Sequence, residues 1–160
     1  MTAPLFVFGT LRDPDVLALV LGRAGARTEP ASLPGHAART VAGRDYPVLV
    51  PEPGKAAPGA LVHGLDAADR ARLAWFEGEA YALAPCRVDA ADGAVDATVF
   101  VAAGLPVDGP WHLDAWRARD KPGFLERARR WMDEFGAEAP AADGVVWGHG
   151  PDDDALQRGR

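Results

Sequence analysis

The sequence predicts an α+β domain: a small, strongly curved mixed sheet or barrel with flanking helices. Three observations lead there. The chain opens strand, Gly-Thr loop, helix; residues 27–65 alternate strand-like runs with Pro- and Gly-rich turns; the last periodic segments are helical. At 160 residues the chain fits one domain with its own core. The pattern places that domain at residues 1–136. Residues 137–160, rich in Ala, Pro, Gly and Asp and without periodicity, read as a flexible tail.

The elements follow in order. PLFVFGTL, residues 4–11, is a short apolar run closed by Gly9, as a buried strand entering a tight loop requires. In DPDVLALVLGR, Asp13 can cap a helix with Pro14 at its first position and Asp15 in its first turn. Val16, Leu17, Val20 and Leu21 form the apolar face, and Gly22 marks the stop. ASLPGHAARTVAG, YPVLVPEPG and PGALVHGL then read as three short, bent strands with edges and bulges. Asp66 and Asp69 open the next helix, Leu65, Leu73 and Phe76 face the core, and the helix ends at Glu77–Gly78. YALAPCRVDA and AVDATVFVAAG read as strands around the turn ADG. After LPVDGPWH come a short helix, HLDAWRARD, a break at Lys121–Pro122, and a longer helix, GFLERARRWMDEF.

Composition removes several function classes. Hydrophobic residues make up 48% and charged residues 25%, values of a globular chain. Net charge is −6 with the acids spread along the chain, so nucleic acid is not an expected partner. The five tryptophans are scattered and suit core or pocket-wall packing better than base stacking. No apolar run reaches the ~20 residues that cross a bilayer. MTAPLFVFGTL carries neither a basic n-region nor a cleavable apolar stretch, so it reads as the first strand, and a cytoplasmic location without membrane attachment is expected. A single Cys86 allows no internal disulfide and no cysteine-rich zinc site. His36, His63, His112 and His149 lie far apart with no HExxH, so no metal is expected. GKAAPG lacks the order of a phosphate-binding loop. The lone Ser32 has no nucleophile elbow around it.

Two stretches remain as candidate chemistry. Gly9-Thr10-Leu11 joins a buried strand to a helix, where backbone N–H groups are free for an anion and Gly permits close approach; it reads equally as an ordinary tight connection. LAWFEGEAY, residues 73–81, offers Glu77 and Glu79. Glu77 ends a helix beside Trp75 and Phe76, with Tyr81 four residues on. The negative end of the helix dipole and aromatic walls both disfavour a charged carboxylate, which suits a group that accepts and returns a proton. A solvated carboxylate at a frayed helix end is the alternative. Glu79, past the glycine, is expected to face solvent.

In this order and spacing, across roughly residues 5–103, the motifs resemble the γ-glutamylcyclotransferase-like family. FVFGTL is similar to the family's Tyr-Gly-Thr-Leu loop, and GRDYPVLVPEPG to its Tyr-Pro segment. ALVHGL is similar to the strand that follows, and LDAADRARLAWFEGEAY to the helix whose Glu-Gly end carries the catalytic glutamate. The nearest likeness is to the short AIG2-like or γ-glutamylamine-cyclotransferase-like branch. The resemblance implies a mixed fold around a small barrel and a cofactor-free reaction. In that reaction the α-amino group of a γ-glutamyl compound closes on its own side-chain amide, giving 5-oxoproline and a released amine or amino acid. It implies Glu77 as proton carrier, with Phe8, Gly9, Thr10, Leu11, Tyr46 and Tyr81 as substrate-binding residues. The expected partner is a small γ-glutamyl molecule. Departures are Phe8 where Tyr is usual, Trp75 where Asp is common, and ALAPCRV without its usual Arg, Arg87 coming later. They motivate a second hypothesis: a binding or interaction domain of the same fold without turnover.

Overall fold

The computed structural model describes residues 3–138. Strand β1 (Leu5–Val7) runs into a single 3₁₀ turn (Thr10–Arg12) and helix α1 (Pro14–Leu21). Strands β2 (Thr28–Val41) and β3 (Pro47–Val62) form a long hairpin, followed by helix α2 (Ala67–Glu77). Strands β4 (Ala82–Ala90), β5 (Gly93–Val101) and β6 (Val107–Pro110) precede helices α3 (Leu113–Arg119) and α4 (Lys121–Glu138). The strands order β3-β1-β5-β4-β2-β6, and β2 also pairs with β3. That extra pairing closes the first five into a barrel, and β6 pairs with the end of β2 around Arg39–Val41, beyond the stretch that pairs with β4. Only β1–β5 is parallel.

Period-2 alternation sorts the strand residues between two cores. Phe6, and Phe8 just past the end of β1, join Leu33, Leu49, Ala57, Leu61, Val88, Ala97 and Val99, a cluster without helical residues that fills the barrel. Leu5 and Val7 face the opposite way, toward Val16, Val20, Leu73, Trp116, Phe124 and Trp131 of the helices. Four tryptophans, Trp75, Trp111, Trp116 and Trp131, are buried in this second core.

The middle of the chain differs from expectation. YPVLVPEPG and PGALVHGL belong to one strand, β3, and LPVDGP contributes β6 where no strand was foreseen. Prolines suggest breaks, yet β3 meets β1 only at Ala60–Val62, so Pro51, Pro53 and Pro58 lie where that edge carries no strand. Irregularity survives as a bulge: Pro34 pairs with Ala56 and His36 with Pro51, leaving Gly35 opposite residues 52–55. Gly35 and Gly54 take φ of 74° and 85° there, turning the hairpin around the barrel. Of the tail expected over 137–160, residues 137 and 138 continue α4, and the rest lies outside the described residues.

Helix ends follow their sequence signals. The Asp66 carboxylate accepts from the Asp69 N–H at 2.7 Å while Asp69 accepts from the Asp66 N–H at 3.0 Å, a reciprocal capping box. Asp69 is buried, and its salt bridge with Arg23, together with the capping hydrogen bonds, holds its carboxyl below the usual range. Asp13 is fully buried. It caps α1 through the N–H groups of Asp15 and Val16 and ion-pairs with Arg117 (2.8 Å) and Lys121 (2.9 Å). Burial opposes its ionisation, but these hydrogen bonds outweigh burial and set its pKa below 3.8. It therefore ties α1 to α3 and α4.

A carboxyl whose pKa falls on folding stabilises the fold above its unfolded value and loses that contribution as pH drops through the folded one. Asp13→Ala is expected to lower stability at neutral pH by about 2–3 kcal/mol, less than a fully buried pair because both cations reach solvent. Asp13→Asn is expected to lose less, since an amide oxygen still caps. Urea denaturation against pH checks both. The gap to wild type should narrow below pH 3.8, and a gap constant down to acid pH would contradict the ion-pair assignment.

Candidate active site

One cavity collects the sequence candidates. Phe8, Gly9, Thr10, Leu11, Tyr46, Glu77 and Tyr81 all line it, with Phe6, Val7, Pro47, Phe76, Phe100 and Phe124. It encloses about 60 Å³ of water-accessible space, room for several waters, and opens to solvent. Each wall comes from a different element: the end of β1 and its loop, the β2–β3 turn, the end of α2, β5 and α4.

The β1 loop is shaped by close packing. A Cβ on Gly9 would sit 2.8 Å from Pro47 Cγ, so any larger residue would press on the opposite wall. The turn closes with Arg12 N–H to the Gly9 carbonyl and Asp13 N–H to the Thr10 carbonyl, both 3.0 Å. The N–H groups of Thr10 and Leu11 precede these bonds and have no acceptor within the turn. Thr10 and Leu11 are buried. Among the described residues no Lys or Arg lines this cavity. Arg12 instead lines a second cavity with Arg23 and Thr28, and burial lowers its pKa there.

Glu77 is the last residue of α2. Gly78 closes the helix by donating its N–H to the Ala74 carbonyl at 3.0 Å. It sits at φ 84°, ψ −178°, a conformation open only to glycine, which turns the chain away and leaves Glu77 at the cavity edge. Tyr81 returns to the same wall, its N–H donating to the Gly78 carbonyl at 3.3 Å. Glu79 is exposed and does not line the cavity.

The aromatic surroundings of Glu77 differ from expectation in one residue. Phe76 and Tyr81 share the cavity with it, whereas Trp75 turns away and stacks on Trp131 of α4 at 4.6 Å between ring centres. An α-helix points successive side chains about 100° apart, so neighbours such as 75 and 77 diverge. Arg87 does not replace the absent basic residue; it lies exposed on β4, paired with Asp96 at 2.7 Å. Phe124 is the wall residue with no local signal, since helix periodicity marks an apolar face without saying whether core or cavity meets it. Arg127, one turn on, ion-pairs at 2.7 Å with Asp45, next to Tyr46, and so anchors α4 to the β2–β3 turn. The described residues contain no cluster of His, Cys, Asp or Glu able to hold a metal, and no helix among them is long and apolar enough to cross a membrane.

Comparisons with known proteins bear on this arrangement. A sequence model of the family described as gamma-glutamyl cyclotransferase, AIG2-like, matches residues 5–118. AIG2-like protein A of Arabidopsis thaliana is 27% identical over 134 residues, covering 81% of each chain. A solution structure of an Arabidopsis thaliana protein superposes with a TM-score of 0.62 at 25% identity, covering 91% of this chain and 93% of that one. A structure described as a gamma-glutamyl cyclotransferase superposes with a TM-score of 0.59, covering 81% and 87% of the two chains; at 12% identity this speaks for the fold alone.

Proposed function

Because the chain belongs to the gamma-glutamyl cyclotransferase, AIG2-like family, we propose that it cyclises a γ-glutamyl amide to 5-oxoproline with Glu77 as general acid–base. The observation that carries this reading is the meeting of a carboxylate and a loop of unclosed N–H groups in one largely apolar cavity.

The α-nitrogen enters as an ammonium and attacks the δ-carbonyl carbon of its own side chain. A carbon–nitrogen bond forms to close the five-membered lactam, and the original amide carbon–nitrogen bond breaks. The α-nitrogen sheds two protons on the way, and both end on the leaving nitrogen. Glu77 takes a proton from the attacking nitrogen and returns it to the departing one, so its own state is restored each turnover. Nucleophile and electrophile belong to one molecule, so the main task of the protein is to hold the folded conformer. In this reading the Gly9–Leu11 backbone binds the α-carboxylate without a basic side chain. Phe8, Tyr46 and Tyr81 shape the wall around the glutamyl chain.

The test is incubation with a panel containing glutathione, γ-glutamyl dipeptides and γ-glutamylamines, with detection of 5-oxoproline. Formation from at least one member is expected. Binding of panel members without product would overturn turnover and leave a binding domain of the same fold.

A further inference from the structure

Val7 and Leu11 line two cavities: the candidate site, and a second one walled also by α1 and the start of β2. The second holds about 250 Å³ of water-accessible space, against about 60 Å³ in the first. This is below the ~300–1,000 Å³ of sites that take drug-sized molecules, so its occupant is small. Val7, Leu11, Leu17 and Ala18 give it an apolar wall. Among the described residues, the charged groups on that wall are Arg12 and Arg23, with no carboxylate beside them.

The two arginines are in different states. The fork of Arg23 is already engaged, its Nε and Nη2 donating to the two carboxylate oxygens of Asp69 at 3.4 and 2.7 Å. Arg12 is half-buried, and among the described residues its guanidinium has no hydrogen-bond or ion-pair partner. Burial and the repulsion of Arg117 both work against its charge, while Asp114 attracts it without forming an ion pair. Arg117 is itself paired with Asp13. A half-buried cation without a counter-ion is an unfavourable arrangement that a bound anion would relieve. In a chain of net charge −6, it is not a by-product of general basicity.

We propose that this second cavity binds a small monocarboxylate with an apolar body, Arg12 holding the carboxylate and the wall of Val7, Leu11, Leu17 and Ala18 holding the body. One unmet cation calls for one negative charge. The planar fork of Arg12 matches a carboxylate through two parallel hydrogen bonds. Free phosphate suits the cavity less, because its remaining oxygens would face apolar side chains without donors. The proposal does not depend on the reading of Glu77 as acid–base group.

The test is an NMR titration of the full chain with hexanoate, with hexylamine and inorganic phosphate titrated in parallel. The amides of Ala18, Arg23 and Thr28, which line the second cavity and not the first, are expected to shift saturably, with Kd on the order of millimolar. Hexylamine is expected to leave them in place, and phosphate to bind about tenfold more weakly or worse. Arg12→Gln keeps the cavity without the charge and is expected to weaken hexanoate about tenfold or more. Ala18→Leu keeps Arg12 but fills the apolar wall, and a comparable loss is expected. Arg87→Gln, at an exposed position on β4, should bind as wild type does. Thermal melts check that each variant is folded, and the comparison of the three ligands on the wild type stands whatever the variants do. Shifts confined to Tyr46, Tyr81 and Phe100 would put the anion in the first cavity and overturn the proposal. Equal binding of hexylamine, tighter binding of phosphate, or undiminished affinity in a folded Arg12→Gln would overturn it too.

Discussion

Replacing Glu77 with glutamine is expected to reduce 5-oxoproline formation on the order of 10³-fold, while Glu79→Gln retains near-wild-type turnover. Glutamine preserves the size and much of the hydrogen-bonding capacity of the side chain but cannot take up a proton, so the lost factor is the proton transfer itself. The two glutamates differ by position. Glu77 ends α2 against the cavity, whereas Glu79 lies past Gly78 and is exposed. Glu77 is only half-buried, so the substitution should leave the melting temperature close to wild type. A rate measured under saturating substrate, beside a thermal melt, separates lost chemistry from lost fold. Comparable losses in both variants would remove Glu77 from its assigned role. Unchanged turnover in Glu77→Gln would move the proton transfer to another group on the wall, Tyr46 or Tyr81 first.

How much of this was legible depends on how local each signal is. The capping residues Asp13 and Asp66 and the stop glycines Gly22 and Gly78 act over three or four residues, so the bounds of α1 and α2 follow from the sequence. Those bounds suffice to place Glu77 at a helix end, and the Gly-Thr-Leu loop is legible for the same reason. That the two ends meet is a tertiary fact, suggested by the ordered family motifs and by no spacing. Phe124 and the Trp75–Trp131 pair lie further from reach, because contacts between residues 56 positions apart leave no periodic trace. Prolines misled most in β3. Proline weakens a strand only where its missing N–H is needed by a neighbour, and whether a neighbour exists is decided by strands elsewhere in the chain. The ion pairs of Asp13 with Arg117 and Lys121 were equally silent, since an N-cap aspartate looks the same whether or not cations come to it.

Gly59→Ala is expected to be the most damaging small substitution in the barrel, lowering stability by about 3 kcal/mol or more. A Cβ at residue 59 would lie 2.2 Å from the Val7 carbonyl oxygen and 2.7 Å from two carbons of the Phe6 ring. Neither neighbour can yield cheaply. The carbonyl belongs to β1, which is hydrogen-bonded on both edges, to β3 and to β5, and Phe6 is 1% exposed in the barrel core. The cost is steric and not conformational, because Gly59 does not occupy the left-handed region. Gly109→Ala supplies the contrast: nothing lies within 4 Å of a Cβ there, and a change within about 0.5 kcal/mol is expected. Urea denaturation of the two variants measures the difference, and equal stabilities would mean that β1 and β3 do not approach as closely as described. The same clash reaches the candidate site. Val7 is separated from Gly9 by Phe8 alone, so relief by moving β1 off β3 would carry the Gly9–Leu11 backbone away from Glu77. The Gly59→Ala molecules that remain folded at low temperature should therefore also turn over more slowly, a loss that Gly109→Ala would not share.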